Sequence, residues 1–240
     1  MRGAPPSAAP AGLLARAVRL LKSLAVPLAA FLVLRAFVVE AFHIWPSGSM
    51  ERTLLIGDFL FVNKALYGAE IPVVHKRLPA FRQPARQDVV VFQSVEDPDL
   101  TVVKRIVGAA GDTLAMRDNV LFRNGRAIGE PYINRRESSR DDPSDPRMRA
   151  WQLRYYVGGT PRAYQPSLKN WGPLVVPADS FFVMGDNRND SYDSRYWGFL
   201  GRDRIRGSPF LVYFSYDRNG RLPLPIVTAI RWDRLLTVPH

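Results

Sequence analysis

Ser49 lies in Pro46-Ser47-Gly48-Ser49-Met50, a run of small and flexible residues placed directly after an apolar stretch. Such a run is either an ordinary linker or a turn that presents a nucleophile. A serine hydroxyl attacks poorly until a neighbouring base takes its proton. Histidine is the usual base, but the chain holds only His43, His75 and His240, and none lies in a recognisable motif. Lysine is the alternative, provided burial among apolar groups brings its amine towards neutrality. Lys104 in Thr101-Val102-Val103-Lys104-Arg105-Ile106-Val107-Gly108 meets that condition. On a strand, Val102 and Ile106 share its face while Arg105 points to the other, towards water or a carboxylate. A lysine that snorkels from a strand edge accounts for the same pattern. Lys64, Lys76 and Lys169 stand in more polar surroundings.

A third cluster runs from Met184 to Gly198 and gathers Asp186, Asp190 and Asp193 with Arg188, Arg195, Ser191 and Ser194. A long turn tied by Asx bonds and ion pairs explains it without any chemistry. Its acidic spacing faintly resembles a calcium loop, but the arginines and the missing glutamate count against a metal. The chain has no cysteine, which excludes disulfides, thiol catalysis and thiolate metal sites. The three histidines show no zinc-ligand spacing, so neither metal nor cofactor is expected.

These groups need elements to hold them. The 240 residues carry 20 prolines and 17 glycines, which favours a β-rich chain of many turns. Apolar, β-branched and aromatic runs bounded by turn residues predict strands within 57–65, 87–94, 100–108, 112–128, 179–186 and 208–217. Asp118-Asn119 and Asn124-Gly125 predict tight turns in a hairpin ladder. The fold class expected is mainly β, a coiled, barrel-like antiparallel sheet. Residues 1–12 read as disordered, and 137–149, rich in charge and proline, as a mobile surface loop. Residues 23–44 predict one N-terminal transmembrane helix: counting through Arg35, the apolar run reaches the lower limit for spanning ~30 Å of hydrocarbon. Four basic and no acidic residues precede it, leaving 1–22 as a cytoplasmic tail and sending the rest outward. The net charge of +11 suits an anionic membrane surface. Nucleic acid is not expected as a partner, because no reading motif accompanies the scattered charge.

Pro-Ser-Gly-Ser-Met, then Thr53-Leu54-Leu55-Ile56-Gly57-Asp58-Phe59-Leu60-Phe61-Val62-Asn63-Lys64, then the Lys104 segment through Gly111-Asp112, then 185–198, resemble in order the motifs of bacterial type I signal peptidases. The match covers most of 46–207. The resemblance implies a membrane-anchored serine endopeptidase that removes signal peptides from exported preproteins after Ala-x-Ala motifs. Ser49 would be the nucleophile and Lys104 the general base. Ser47 would help the Ser49 N–H form an oxyanion hole, and Ser191 would orient the lysine ammonium. Asp193 and Arg195 would form a supporting ion pair, Asp186 and Arg105 would belong to the same scaffold, and Gly185 would press close to the lysine. Trp45, Pro46, Met50, Leu54, Val102 and Val103 would line the substrate pockets.

The resemblance further implies a catalytic β domain of 45–112 and 177–240, with a smaller inserted β domain over 113–176. The tail from 226 onward would form a short helix returning to the membrane. Expected partners are signal-peptide-bearing preproteins and membrane lipid, with the secretion translocon nearby. The expected location is the bacterial inner membrane, with the catalytic domain on its periplasmic face. Three residues depart from the family's usual pattern: Trp45 where isoleucine is common, Arg52 before Thr53 where proline is common, and Asn189-Asp190 where Asp-Asn is common. Asp190 thereby sets an extra carboxylate beside Ser191, which would raise the pKa of Lys104. A narrower pilin-maturing peptidase and a non-catalytic envelope protein of the same fold are the rival readings.

Overall fold

The computed structural model describes residues 11–44, 47–71, 76–133, 146–217 and 229–239. Helix α1 covers Ala11–Phe37 and passes directly into strand β1 (Val39–His43). There follow β2 (Asp58–Asn63), β3 (Val89–Gln93), β4 (Thr101–Ala109), β5 (Thr113–Arg117), β6 (Val120–Arg123) and β7 (Arg126–Ala127). Helix α2 (Pro146–Gln152), β8 (Trp171–Val175), β9 (Ser180–Met184), α3 (Ser194–Trp197), β10 (Leu200–Gly201) and β11 (Ile205–Ser215) complete the order. One sheet has seven strands in the order β1-β2-β11-β3-β4-β9-β10, and a second has four, β7-β6-β5-β8. All the strand pairs are antiparallel. The larger sheet curls, with register shifts along β11 and between β4 and β9, as bulges increase local twist. The mainly β class thus holds.

Local chemistry explains the strands. In β2 the residues alternate between buried (Asp58, Leu60, Val62) and half-buried (Phe59, Phe61, Asn63), the period of a pleated strand with one face on a core. Strands β3 and β4 lie inside the sheet, and their Val-rich runs are buried on both faces. Asp118 and Asn119 take φ of 47° and 63°, and Asn124 and Gly125 take 53° and 77°. Both two-residue turns therefore have the left-handed pair of torsions that tight hairpins require.

A cluster of Val107, Leu114, Met116, Leu121, Met148, Trp171, Leu174, Phe182 and Met184 is shared between the small sheet, α2 and strands β4 and β9. The small sheet and α2 thus pack against the large sheet through this shared cluster. A second cluster, with Met50, Leu54, Leu60, Val62, Val91 and Val103, underlies the Ser49 turn.

Several boundaries differ from the sequence expectation. The helix already includes 11–12 and stops at Phe37, because residues 39–43 hydrogen-bond to β2 as strand β1. Among the described residues no helix is long and apolar enough to cross a membrane. Lys22 and Arg35 bracket an uncharged run of about twelve residues, which spans about 18 Å of helix against ~30 Å of hydrocarbon. Within the expected loop, Pro146–Arg149 opens α2 with Met148 buried, and 137–145 lie outside the described residues. The tail does not form the expected membrane-directed helix over 229–239. It makes a short 3-10 turn at Trp232–Arg234, and bridges tie Ile230 to Tyr216 and Thr237 to Val212; residues 226–228 are outside the description.

Candidate active site

Two elements bring the candidate pair together. Strand β4, held by Val90 of β3 opposite Lys104, carries the amine. The turn after β1 carries the hydroxyl and is fixed by Thr53 and Leu54 N–H groups donating to the Met50 carbonyl. Met50 and Leu54 plug the apolar cluster beneath and so hold the turn from below. Lys104 Nζ lies 2.5 Å from Ser49 Oγ. Lys104 is 3% exposed and Ser49 4%. Burial is the main cause that lowers the Lys104 pKa from 10.5 to about 8. The positive charge of Arg195 acts in the same direction, whereas Asp193, Asp186 and Asp190 oppose it. Roughly a tenth of the amine is then neutral at pH 7, against one in a few thousand for free lysine. His43 stacks on Phe59 at 4.2 Å, and His75 and His240 lie outside the described residues.

The cluster of residues 184–198 forms the wall behind the candidate pair. Asp193 caps α3 and accepts from Arg195 Nε at 2.8 Å, from Ser191 Oγ at 2.7 Å and from Gly185 N at 3.1 Å. Burial alone would raise the Asp193 pKa, but the Arg195 charge and these donors outweigh it and hold the carboxyl below 3.8. Asp186 takes a two-pronged contact from Arg105, at 2.8 and 2.7 Å, and a hydrogen bond from Thr53 Oγ1 at 2.5 Å. Arg105 thus lies on the face of β4 opposite Lys104, against a carboxylate, with its guanidinium 4.0 Å from the centre of the Tyr132 ring. Asn187 N donates to the Ser49 carbonyl at 2.9 Å, which couples this wall to the serine turn.

Three expectations are altered by the geometry. Ser191 donates to Asp193 and makes no hydrogen bond to Lys104 among the described residues. A Cβ on Gly185 would meet the Ser49 carbonyl oxygen at 2.5 Å and the Ser191 side chain, so this glycine presses on those residues before the lysine. Ser47 and the Ser49 N–H are neighbours, but the N–H donates to Ser47 Oγ at 3.2 Å, so the two are hydrogen-bonded to each other.

A cleft of about 280 Å³ opens at Ser49 and Lys104 and is lined by Met50, Val102 and Val103 as expected. Leu54 is fully buried beneath it and does not reach its surface. Trp45 and Pro46 lie outside the described residues. Sequence reasoning missed Phe42, Ile44, Leu100, Thr101, Tyr192 and Trp197, which also line the cleft. The signal for Phe42 and Ile44 was present as an apolar alternation, hidden by reading that stretch as the end of a membrane helix. A Glu130–Arg188 pair, 3% exposed on each side, was also missed; its partners are 58 residues apart. Among the described residues no group of His, Cys, Asp and Glu is placed to hold a metal ion.

The sequence profile described as "Signal peptidase, peptidase S26" matches residues 17–214. The signal peptidase I of Pseudomonas fluorescens is 35% identical over 205 residues, covering 81% of this chain and 71% of that protein. The signal peptidase I of Pseudomonas aeruginosa strain PAO1 is 34% identical over 207 residues, with the same two coverages. A crystal structure of a signal peptidase I from Enterococcus faecalis V583 aligns over 54% of this chain and 98% of that one, at 28% identity and a TM-score of 0.36. The profile match takes in all the segments that meet around the Ser49 turn and β4, and with it the chain belongs to the peptidase S26 family of signal peptidases.

Proposed function

We propose that the chain cleaves signal peptides with a Ser49/Lys104 dyad, after small residues in an Ala-x-Ala arrangement, while α1 holds it at the outer face of the bacterial inner membrane. The observation that carries this reading is the 2.5 Å approach of a buried amine to a buried hydroxyl. In the neutral form Lys104 accepts the Ser49 proton as Oγ attacks the scissile carbonyl carbon. The resulting ammonium then donates that proton to the departing amine. Water enters and gives a proton to Lys104 as its oxygen attacks the acyl carbon; the bond to Ser49 Oγ then breaks and Lys104 returns the proton to that oxygen. The oxyanion in both steps is held by the Ser49 N–H and by Ser47, whose hydroxyl rotates from acceptor to donor when substrate arrives. One such donor contributes about 3 kcal/mol.

Strand β4 favours an extended substrate. Strand β9 pairs with it only from Arg105 onward, while β3 covers its other side. The segment 101–104 therefore has one side unpaired by β9 beside the dyad, where a peptide adds as a strand. Alternate residues of such a peptide face the same way, so the first and third residues before the cut meet Met50, Ile44, Val102 and Trp197. That apolar lining of limited volume favours small side chains at both.

Anchoring rests on α1. Leu20, Leu21, Leu24, Val26, Leu28, Phe31, Leu32 and Val33 are exposed on it, and an exposed apolar surface of that extent calls for a lipid or protein cover. The uncharged run seats in hydrocarbon while Lys22 and Arg35 reach back to either interface. Preproteins tethered in the same bilayer gain effective concentration at the cleft. The test is cleavage of an Ala-x-Ala signal peptide by purified wild type and by Ser49→Ala, with mass spectrometry locating the cut. A single cut after the second alanine, lost in Ser49→Ala, is expected; turnover retained by Ser49→Ala overturns the reading. Flotation with vesicles, lost when 11–37 are deleted, checks the anchor separately.

A further inference from the structure

We propose that an anionic phospholipid binds where α1 meets the large sheet, with its phosphate among Arg35, Arg77 and Arg206 and an acyl chain against Phe31, Leu34 and Phe61. Two adjoining cavities carry this inference. The first, about 550 Å³, is walled by four basic side chains, Arg35, Lys64, Arg77 and Arg206, and two acidic ones, Glu40 and Glu70. The second, about 650 Å³, is apolar, with Phe31, Leu34, Val39, Ala41, Phe61 and Phe210 in its walls. Arg35, Glu40 and Lys64 belong to both, so the cationic chamber opens directly onto the apolar slot. A charged end joined to a greasy end is the shape and polarity of a lipid with a negative headgroup.

The basic side chains are not all neutralised. Lys64 meets Glu40 at 3.7 Å and Arg206 pairs with Glu70. Arg77 donates to the Asp203 carbonyl, but its other terminal nitrogen is buried without a hydrogen-bond partner among the described residues. Burial first, then repulsion from Arg202 and Arg206, makes its charge costly to hold. Arg35 makes no ion pair or hydrogen bond among the described residues. A phosphate oxygen supplies both charge and acceptors to such guanidinium groups. Phe42 and Thr101 line this chamber as well as the catalytic cleft, so the headgroup sits beside the substrate channel. The lipid as source rests on the reading that α1 lies in a bilayer.

The full chain in detergent is titrated with dihexanoyl phosphatidylglycerol, dihexanoyl phosphatidylcholine and inorganic phosphate, with native mass spectrometry reading retained ligand. Retention of one phosphatidylglycerol, with far weaker retention of the other two, is expected. Arg77→Gln and Arg35→Gln should each weaken it about tenfold, as one charge-assisted hydrogen bond is lost. Arg162→Gln, an exposed arginine on a distant 3-10 turn, should leave it unchanged. Equal retention of phosphatidylcholine, phosphate binding as tight as the lipid's, or equal loss in Arg162→Gln each overturns the proposal. Cleavage of a soluble signal peptide by the same variants stays at wild-type rate, which separates this site from the protease reading, and vesicle flotation separates it from the anchor.

Discussion

In the proposed mechanism Lys104 is the base for Ser49, and its environment sets the pH at which it acts. Desolvation lowers its pKa to about 8, so the base is mostly protonated at neutral pH and activity should climb as pH rises. We expect the acidic limb of kcat/KM for a peptide substrate to show an apparent pKa near 8. A limb centred near 6 would point to a histidine. Asp190 holds that value up by attraction. Asp190→Asn should therefore move the limb to lower pH and raise the rate at pH 7, with little change at pH 9. Lys104→Arg should be inactive, since a guanidinium does not release its proton, while its thermal unfolding shows whether the fold survives.

At the scale of elements, the turn after β1 and the segment after β9 lean on each other. Gly185 lies where they touch, and a methyl group there would collide with the Ser49 carbonyl and the Ser191 side chain. Gly185→Ala should shift Ser49 away from Lys104 and cut kcat by about 10² or more, as misplacement by an ångström does. KM and secondary structure by circular dichroism should change little, and a wild-type kcat would show that the two segments move independently. Thr53 and Arg105 converge on Asp186 in the same way. This network is the frame behind the candidate pair: Arg105 and Asp186 are both buried, so losing either leaves the other's charge without compensation.

The whole molecule is closed by its tail. Arg234 donates to Asp58 and to the Thr53 carbonyl, and Asp58 is fully buried at the start of β2. Arg234→Ala should lower stability by about 3 kcal/mol, since it strands a buried carboxylate, and denaturant unfolding measures that loss. Acid should also weaken the fold. The pKa of Asp193 is held below 3.8 in the folded chain, so the unfolded state binds the proton more readily. Its contribution is present above about pH 4 and disappears as pH falls through the folded value. An unfolding free energy that is flat from pH 6 to pH 2 would contradict this.

The sequence alone picked out Ser49 and Lys104 as the candidate pair and determined most of the strands, because these rest on local pattern. Alternation marks β2, a short apolar run marks β9, the asparagine turns mark the small sheet, and a lysine among valines marks a buried amine. It did not determine where α1 ends, since Val39, Ala41, Phe42 and Ile44 continue the apolar run of the helix and only the pairing with β2 makes Val39–His43 a strand. Nor did it determine which apolar residues reach the cleft. Met50 and Leu54 are both apolar and four residues apart, yet one lines the cleft and the other lies wholly beneath it. The tertiary structure decided these, together with the Glu130–Arg188 pair, the Ser191–Asp193 bond and the joined cavities at the base of α1. Each depends on groups far apart in the chain or on which of two nearby partners is closer, and those distances exist only once the sheets have closed around them.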